Sequence, residues 1–276
     1  MNAPGEADQA GGVTRMCVFG LGEAGSLIAA DLATAGVAVQ GYDPAPVATP
    51  AGVTRHDAPA AAVEGVDVVL ALTAAADAPT ALAQALDAIP RGAVYADLST
   101  ASAGLKQRLA STAAGAGLGF VDVALMSTVP GTGLLTPALA SGPAASDFVA
   151  AMAPYGMPVD DAGDEAGVAA TRKLLRSVVM KGLAALVIES MRAAGAAGLR
   201  EEAWHNLVAE LTAADEGLVR RLVMGTGPHA TRRLREMEST TELLAELGVD
   251  PVMTRATVAH LALLADGSVT LPELPG

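Results

Sequence analysis

The stretch Gly20-Leu21-Gly22-Glu23-Ala24-Gly25 decides the fold of the first half of the chain. It is a G-x-G-x-x-G pattern that directly follows an apolar run, Met16 to Phe19, and opens a predicted helix, Ala24 to Ala35. In such a loop the first glycine makes a tight turn, the second lets the backbone approach a pyrophosphate, and the third lets helix and strand pack closely. The helix N-terminus then faces the negative charge. We therefore predict that these six residues bind a dinucleotide, with a glycine-rich turn that holds no ligand as the alternative.

Asp43 follows the second predicted strand, Val37 to Tyr42, and lies 18 residues after Gly25. A carboxylate at this point accepts hydrogen bonds from ribose hydroxyls and repels a 2'-phosphate, which favours NAD(H) and leaves NADP(H) open. A turn aspartate before Pro44 is the alternative interpretation. Thr73, directly after the third predicted strand, Asp67 to Leu72, is counted with the cofactor-binding residues.

The order of apolar runs and Ala-rich segments predicts an α/β fold, a doubly wound parallel sheet of the Rossmann type. Its further strands are predicted at Ala93 to Ala96 and Phe120 to Ala124, and its further helices at Pro79 to Ala88 and Ala103 to Ala114. After Gly163 the alternation ends, and four helices are predicted: Asp164 to Ala194, Glu201 to Val223, His229 to Leu247, and Pro251 to Ala265, the last capped by Asp250. We predict a disordered tail at 1–12, a Rossmann domain at 13–162 and an all-helical substrate and dimerisation domain at 163–276.

The helix Asp164 to Ala194 has apolar residues around most of its circumference, which is typical of a buried helix. One small helical domain offers little cover for it, so we predict a homodimer. Lys173 lies in this helix, and Ser177 shares its face at the i+4 position. Burial favours the neutral form of a lysine, which suits proton transfer. A lysine with its ammonium group in water is the alternative.

Polar residues at the predicted strand ends are candidates for substrate binding. Ser99 follows the fourth strand and Ser127 the fifth, and helix capping is the alternative role for both. His229 precedes Arg232 and Arg233, a cationic group that can bind an anionic substrate, with a solvated helix end as the alternative. The histidines have no metal-ligand spacing, so no metal site is predicted.

The composition of the chain bears on its binding partners and on its location in the cell. The chain has 17 Lys and Arg against 30 Asp and Glu, a formal charge of -13, which argues against nucleic acid. Cys17 is the one cysteine, so an intramolecular disulfide is excluded and a reducing, cytoplasmic location is expected. The first twelve residues do not resemble a signal peptide. The uncharged stretch Val123 to Ser146 contains three prolines and three glycines, which argues against a membrane helix.

The order of these motifs resembles the β-hydroxyacid dehydrogenase and 6-phosphogluconate dehydrogenase superfamily over nearly the whole chain. Gly20 to Gly25 looks like its cofactor loop, Asp97 to Thr100 like its D-x-S-T substrate strand, and Phe120 to Asp122 like the block that follows. The stretch Gly167 to Lys173 is similar to its G-x-x-x-K region. The resemblance implies that Lys173 is the catalytic acid/base, that Ser99 helps hold the substrate, and that the chain forms a dimer.

Two departures from the family pattern concern the substrate pocket. The family places Asn four residues after the lysine, where this chain has Ser177, and the loop from Asp122 to Thr128 lacks the family's D-x-P-V-S-G-G sequence. We therefore expect an NAD(P)-dependent oxidoreductase that acts on a small hydroxy acid, keto acid or related carbonyl compound. Imine reduction on the same scaffold and a non-catalytic, cofactor-binding regulatory module are the alternatives.

Overall fold

The computed structural model describes residues 14–275. The tail predicted to be disordered, 1–12, lies outside these residues. The chain divides into two compact units, one that ends at Arg176 and one that begins at Ser177. This division falls inside the long helix, whereas the predicted boundary between residues 162 and 163 falls before it.

The first unit is built on one eight-stranded sheet with the order β3-β2-β1-β4-β5-β6-β7-β8. Every neighbouring pair is parallel apart from β6 and β7, which are antiparallel. The strand order reverses between β1 and β4, which is the switch point where doubly wound sheets bind ligands. The predicted α/β fold is therefore confirmed. The strands are β1 (Arg15–Phe19), β2 (Ala38–Tyr42), β3 (Val53–Arg55), β4 (Val68–Ala71), β5 (Val94–Asp97), β6 (Gly119–Leu125), β7 (Ala138–Ser141) and β8 (Val159–Asp161).

Helices cover both faces of this sheet. Side chains of β1 alternate between the faces: Met16 and Val18 pack in one apolar cluster, and Cys17 and Phe19 pack in the other. This burial on both sides explains why the strands read as continuous apolar runs. The helices are α1 (Glu23–Thr34), α2 (Pro59–Ala62), α3 (Ala78–Ala85), α4 (Ala103–Gly115) and α5 (Ala145–Met152).

Between residues 177 and 275, helices are the only regular secondary structure of the second unit. Its helices are the larger part of α6 (Val168–Ala196), then α7 (Arg200–Thr212), α8 (Glu216–Met224), α9 (Ala230–Glu246) and α10 (Val252–Ala265). The prediction of one helix from Glu201 to Val223 is wrong. The helix ends at Thr212, and Asp215 starts a new one by accepting a hydrogen bond from the Leu218 amide at 2.8 Å.

Two further predictions about helices need correction. Helix α6 begins at Val168 rather than at Asp164. Its apolar residues, predicted to be buried, are exposed in the single chain at Leu175 (65%), Val178 (72%) and Val179 (65%). Between residues 14 and 275, no helix combines the length and apolar character needed to cross a membrane.

Candidate functional site

The glycine loop has the geometry that its three glycines predict. Gly20 has a φ of +87°, and a Cβ there would lie 2.4 Å from the main-chain oxygen of Leu72. A Cβ on Gly25 would lie 1.8 Å from the main-chain oxygen of Gly20. Gly22, the N-cap of α1, has no atom within 4 Å of an added Cβ. Gly20 and Gly25 are therefore required by packing, whereas Gly22 leaves an open approach to the backbone at the helix N-terminus.

A cavity of about 320 Å³ lies beside this loop at the switch point between β1 and β4. Gly20, Gly22, Asp43 and Thr73 all line it, so the structure brings together four of the predicted cofactor residues. The hydroxyl of Thr73 is buried and has no hydrogen-bond partner among the described residues. Open glycine backbone, a helix N-terminus and an unsatisfied hydroxyl fit a polar, anionic ligand such as a dinucleotide. The remaining loop residues surround this point: Leu21 is buried, and Glu23 and Ala24 form the first turn of α1.

Asp43 accepts two main-chain hydrogen bonds. Its Oδ2 accepts from the amide of Leu21 at 2.7 Å, and its Oδ1 accepts from the amide of Ala45 at 2.8 Å. Asp43 therefore does stabilise the turn that contains Pro44, which was the alternative interpretation of this residue. Each carboxylate oxygen has a further lone pair, so this role leaves capacity to accept from a ligand.

Arg55, at the end of β3, was not identified from the sequence. Its guanidinium donates to the main-chain oxygens of Asp43 at 2.9 Å and Ala45 at 2.6 Å, and also to that of Val47. A second cavity of about 350 Å³ shares Asp43 with the first and is lined by Arg55 and His56. No local sequence pattern predicts Arg55, because its partners lie in the loop after a neighbouring strand.

Ser99 is buried, with 5% of its surface exposed, and its hydroxyl has no hydrogen-bond partner among residues 14–275. Its amide donates to Oδ1 of Asp97 at 2.8 Å. The alternative role of Ser99 as a helix cap is not seen, since Ser102 caps α4 by accepting from the Leu105 amide at 3.3 Å. Ser99 is therefore available to bind a ligand.

The other predicted substrate residues lie in different parts of the chain. Ser127 is exposed in the loop after β6, next to Met126, whose main-chain oxygen accepts a hydrogen bond from the guanidinium of Arg176. Lys173 is half-buried in the second turn of α6, within the first unit, and Ser177 is the first residue of the second unit. None of Ser99, Ser127 and Lys173 lines the cavity beside the glycine loop.

His229 is exposed in the second unit, directly before α9. The two arginines grouped with it have other partners. Arg233 donates to the hydroxyl of Thr226 at 2.7 Å, and Arg232 lies 3.5 Å from the carboxylate of Glu236. These contacts weaken the case for an anion site there, and the role of His229 stays a prediction.

Two stretches of the chain match models of known protein families. Residues 15–132 match the NAD binding domain of 6-phosphogluconate dehydrogenase, and residues 194–264 match a domain of unknown function, DUF1932. Along the chain, a stretch similar to the NAD binding domain of 6-phosphogluconate dehydrogenase is therefore followed by a stretch similar to DUF1932. This confirms the resemblance drawn from the motifs.

A curated relative covers only part of the chain. It is the 28.5 kDa protein of the 7S RNA 5' region of Methanothermus fervidus, 30% identical over 108 residues, which are 37% of this chain and 41% of that protein. The match therefore spans about two fifths of the relative's length.

Solved structures match over nearly the full length. The conserved protein MTH1747, described as similar to 3-hydroxyacid dehydrogenases, is 27% identical with a TM-score of 0.58 and covers 92% of this chain and 98% of its own. The imine reductase of Streptomyces aurantiacus is 23% identical with a TM-score of 0.76. The match covers 92% of this chain and 95% of the reductase.

The imine reductase of Myxococcus stipitatus was solved with both types of cofactor. Its complex with NADP⁺ is 18% identical to this chain with a TM-score of 0.75, covering 92% and 94%. Its V8 variant with NAD⁺ is 19% identical with a TM-score of 0.76, covering 93% and 94%. At this level of identity the reductases show the same fold and nothing about the reaction.

Proposed function

We propose that this protein is an NAD(P)-dependent oxidoreductase that moves hydride between the nicotinamide and a small hydroxy acid, keto acid or related carbonyl compound. The observation that carries the proposal is the cavity at the switch point, where the open backbone at Gly22 meets the unsatisfied hydroxyl of Thr73. It lies within the matched NAD-binding domain. Bound nicotinamide supplies or accepts the hydride.

In this proposal Lys173 moves the proton that accompanies the hydride. In the oxidising direction its neutral amine accepts the hydroxyl proton of the substrate, and in the reducing direction its ammonium donates a proton to the carbonyl oxygen. Ser99 holds the substrate through its unsatisfied hydroxyl, and Ser127 contributes from the loop after β6. Ser177 and His229 are predicted substrate residues to which we assign no step.

We further propose that NAD(H) is preferred over NADP(H). The carboxylate of Asp43 lines the cavity, and its charge opposes a 2'-phosphate. Arg55 is a cation near Asp43, but its guanidinium already donates to the main-chain oxygens of three residues, which reduces its capacity to hold a phosphate.

The proposal is tested by cofactor titration followed by a substrate panel. We expect NADH binding, seen as a change in nicotinamide fluorescence, and NADH oxidation with pyruvate or malonate semialdehyde. Oxidation with pyrroline alone favours imine reduction instead. A protein that binds NADH and reduces none of the panel favours the non-catalytic alternative.

The role of Lys173 is tested by substitution. Lys173→Ala is expected to lower turnover by about 10² to 10⁴-fold and to leave NADH affinity nearly unchanged. Lys181→Ala, two turns further along α6, is the matched control and is expected to retain turnover. If Lys173 is only structural, Lys173→Met restores the stability that Lys173→Ala loses, and turnover per folded molecule stays within a few-fold.

We also propose that the protein is a homodimer in a reducing, cytoplasmic environment. The exposed apolar residues of α6 support the dimer, and the single, buried Cys17 is compatible with a reducing environment.

A further inference from the structure

Three charged residues form a fully buried ionic cluster inside the first unit. The side chain of Lys106 is fully buried, and so are those of Asp97 and Asp122. The Lys106 ammonium lies 3.0 Å from Oδ1 of Asp122 and 3.4 Å from Oδ1 of Asp97, and it donates to the main-chain oxygen of Asp97 at 2.8 Å. The cluster therefore joins α4 to the carboxyl end of β5 and to the middle of β6.

The cluster also holds the first turn of α6. Oδ2 of Asp122 accepts from the amide of Ala170 at 2.9 Å and faces the hydroxyl of Ser141 at 3.4 Å. The hydroxyl of Ser141 accepts from the amide of Ala169 at 2.9 Å. These two amides belong to the helix N-terminus, whose partial positive charge a carboxylate stabilises. Lys173 follows Ala170 by three residues on the same helix.

At its other end the cluster holds Ser99. Oδ1 of Asp97, which faces the Lys106 ammonium, also accepts from the amide of Ser99 at 2.8 Å. A continuous series of hydrogen bonds and ion pairs thus connects the backbone of Ser99 to the first turn of α6. Every link in this connection belongs to the first unit.

Stability does not by itself explain why charged residues occupy this place. Apolar residues of similar volume often stabilise a core as well as a buried ion pair does, because the ions lose their hydration. Directional hydrogen bonds, by contrast, fix the relative position of the elements that they join. A buried ionic network suits a role in positioning.

We propose that the Lys106–Asp97–Asp122 cluster is a positioning network that sets the place of Lys173 relative to Ser99. The inference rests on the proposed function, in which Lys173 transfers the proton and Ser99 holds the substrate. None of the three cluster residues touches the substrate in this proposal. They act through the backbone of Ser99 and through the N-terminus of α6.

Two substitutions and one control test the network in the full chain. Asp122→Asn keeps the shape of the side chain and removes the charge that faces Lys106. Ser141→Ala disturbs the structure less, since it removes one hydrogen bond to α6 and leaves the ion pairs of Lys106 in place. It replaces Asp122→Asn as the test variant if Asp122→Asn does not fold. Asp215→Asn is the control because Asp215 likewise caps a helix, α8, through one main-chain amide.

The measurements are NADH affinity, the kcat and KM for the panel compound that the unaltered protein reduces fastest, and amide exchange at Ala169 and Ala170. We expect Asp122→Asn to lower kcat by up to about 10²-fold, the effect of a misplaced catalytic group, with KM and NADH affinity within twofold. Ser141→Ala is expected to lower kcat less, and both variants are expected to speed exchange at the two amides. Asp215→Asn is expected to leave kcat within twofold.

A double variant separates positioning from general destabilisation. If the network acts through Lys173, then adding Asp122→Asn to Lys173→Ala lowers kcat no further. The network proposal is overturned if Asp122→Asn lowers the kcat of Lys173→Ala by the same factor as it lowers that of the unaltered protein. It is also overturned if Asp122→Asn and Ser141→Ala both keep kcat within twofold. In either case Lys173 keeps its proposed role. Normal turnover by Lys173→Ala alone overturns the proposed proton transfer and this inference with it.

Discussion

Gly22 and Gly25 lie in one loop but are glycines for different reasons. A Cβ on Gly25 collides with backbone at 1.8 Å, so Gly25→Ala is expected to lower the free energy of unfolding by about 3 kcal/mol. Gly22 has a φ of −66° and open space around it, so Gly22→Ala is expected to lower the free energy of unfolding by about 1 kcal/mol or less, the cost of alanine at an N-cap. If a pyrophosphate approaches that open space, Gly22→Ala weakens NADH binding by about tenfold or more.

Urea unfolding and NADH titration measure the two effects on the same samples. A stable Gly22→Ala variant that binds NADH as tightly as the unaltered protein would show that no ligand approaches the backbone there.

The charge of Asp43 is the residue-scale source of the expected cofactor preference. Two unit charges about 4 Å apart interact by roughly 1 to 4 kcal/mol between water and a partly buried site. Asp43→Asn removes the charge and keeps one of the two oxygens that accept from the loop, so the ratio of the NADPH to the NADH dissociation constant is expected to fall by about tenfold. Fluorescence titration with both cofactors measures the ratio.

Asp67→Asn is the matched control for that experiment. Asp67 also anchors backbone, by accepting from the amides of Thr14 and Arg15 at 3.1 Å, but it precedes the amino end of β4, whereas Asp43 follows the carboxyl end of β2. Its substitution should leave the ratio unchanged. Equal dissociation constants for NADH and NADPH in the unaltered protein would mean that Asp43 is only a turn residue.

At the scale of elements, the local sequence pattern predicted the strands that build the cofactor site. It did not predict features that depend on contacts between residues distant in the sequence. The predicted strands β1, β2, β4, β5 and β6 agree with the structure to within two residues at either end. Strands β3 and β8 were missed because they have three residues each, and β7 because it pairs antiparallel within a Pro- and Gly-rich stretch. In the same way, the buried cluster around Lys106 joins residues that are far apart in the sequence and have no shared periodicity.

The start of α10 shows the same limit. Asp250 was predicted to cap this helix, but its carboxylate pairs with Arg255 at 2.7 Å. The amides of Met253 and Thr254 instead donate to the buried carboxylate of Glu189, at 2.7 and 2.8 Å, and the Thr254 hydroxyl donates at 2.6 Å. Since Glu189 belongs to α6, no sequence window around Asp250 reveals this cap.

The Glu189 cap leads to a prediction about stability and pH. Burial raises the pKa of Glu189, but the hydrogen bonds from Thr254 and Met253 and the charge of Arg255 together outweigh it and hold the pKa below its ordinary value. The stabilisation is therefore complete above the ordinary glutamate pKa of about 4.3 and is lost as the pH falls through the lower value of the folded state. Glu189→Ala is expected to lower the free energy of unfolding at neutral pH by about 2 kcal/mol, because buried amides lose their acceptor.

Urea unfolding at a series of pH values from neutral to acidic measures this effect. The difference between the unaltered protein and Glu189→Ala should shrink as the pH falls below about 4. Asp250→Ala, which removes only an exposed ion pair, should cost less than about 1 kcal/mol. The assignment of the cap fails if Asp250→Ala proves the more costly of the two.

At the scale of the whole molecule, the exposed apolar residues of α6 need an explanation. Leu175, Val178, Val179 and Ile188 have 60% or more of their surface exposed in the single chain. Fully burying one such side chain contributes about 1.5 to 3 kcal/mol, so a second copy that covers several of them gains enough to offset the cost of association. A second copy is therefore the cover that we propose for these residues, and the homodimer stays a prediction.

The dimer is tested by placing a charge on this surface. Sedimentation equilibrium at micromolar concentration is expected to show a dimer for the unaltered protein and a monomer for Val178→Asp combined with Ile188→Asp, because each carboxylate would be buried without a partner. Leu135→Asp is the matched control, since Leu135 is 61% exposed in the first unit, outside α6, and its substitution should leave the dimer intact. An unaltered protein that sediments as a monomer while fully active would contradict the prediction, and the exposed residues of α6 would then have to be covered by a different partner.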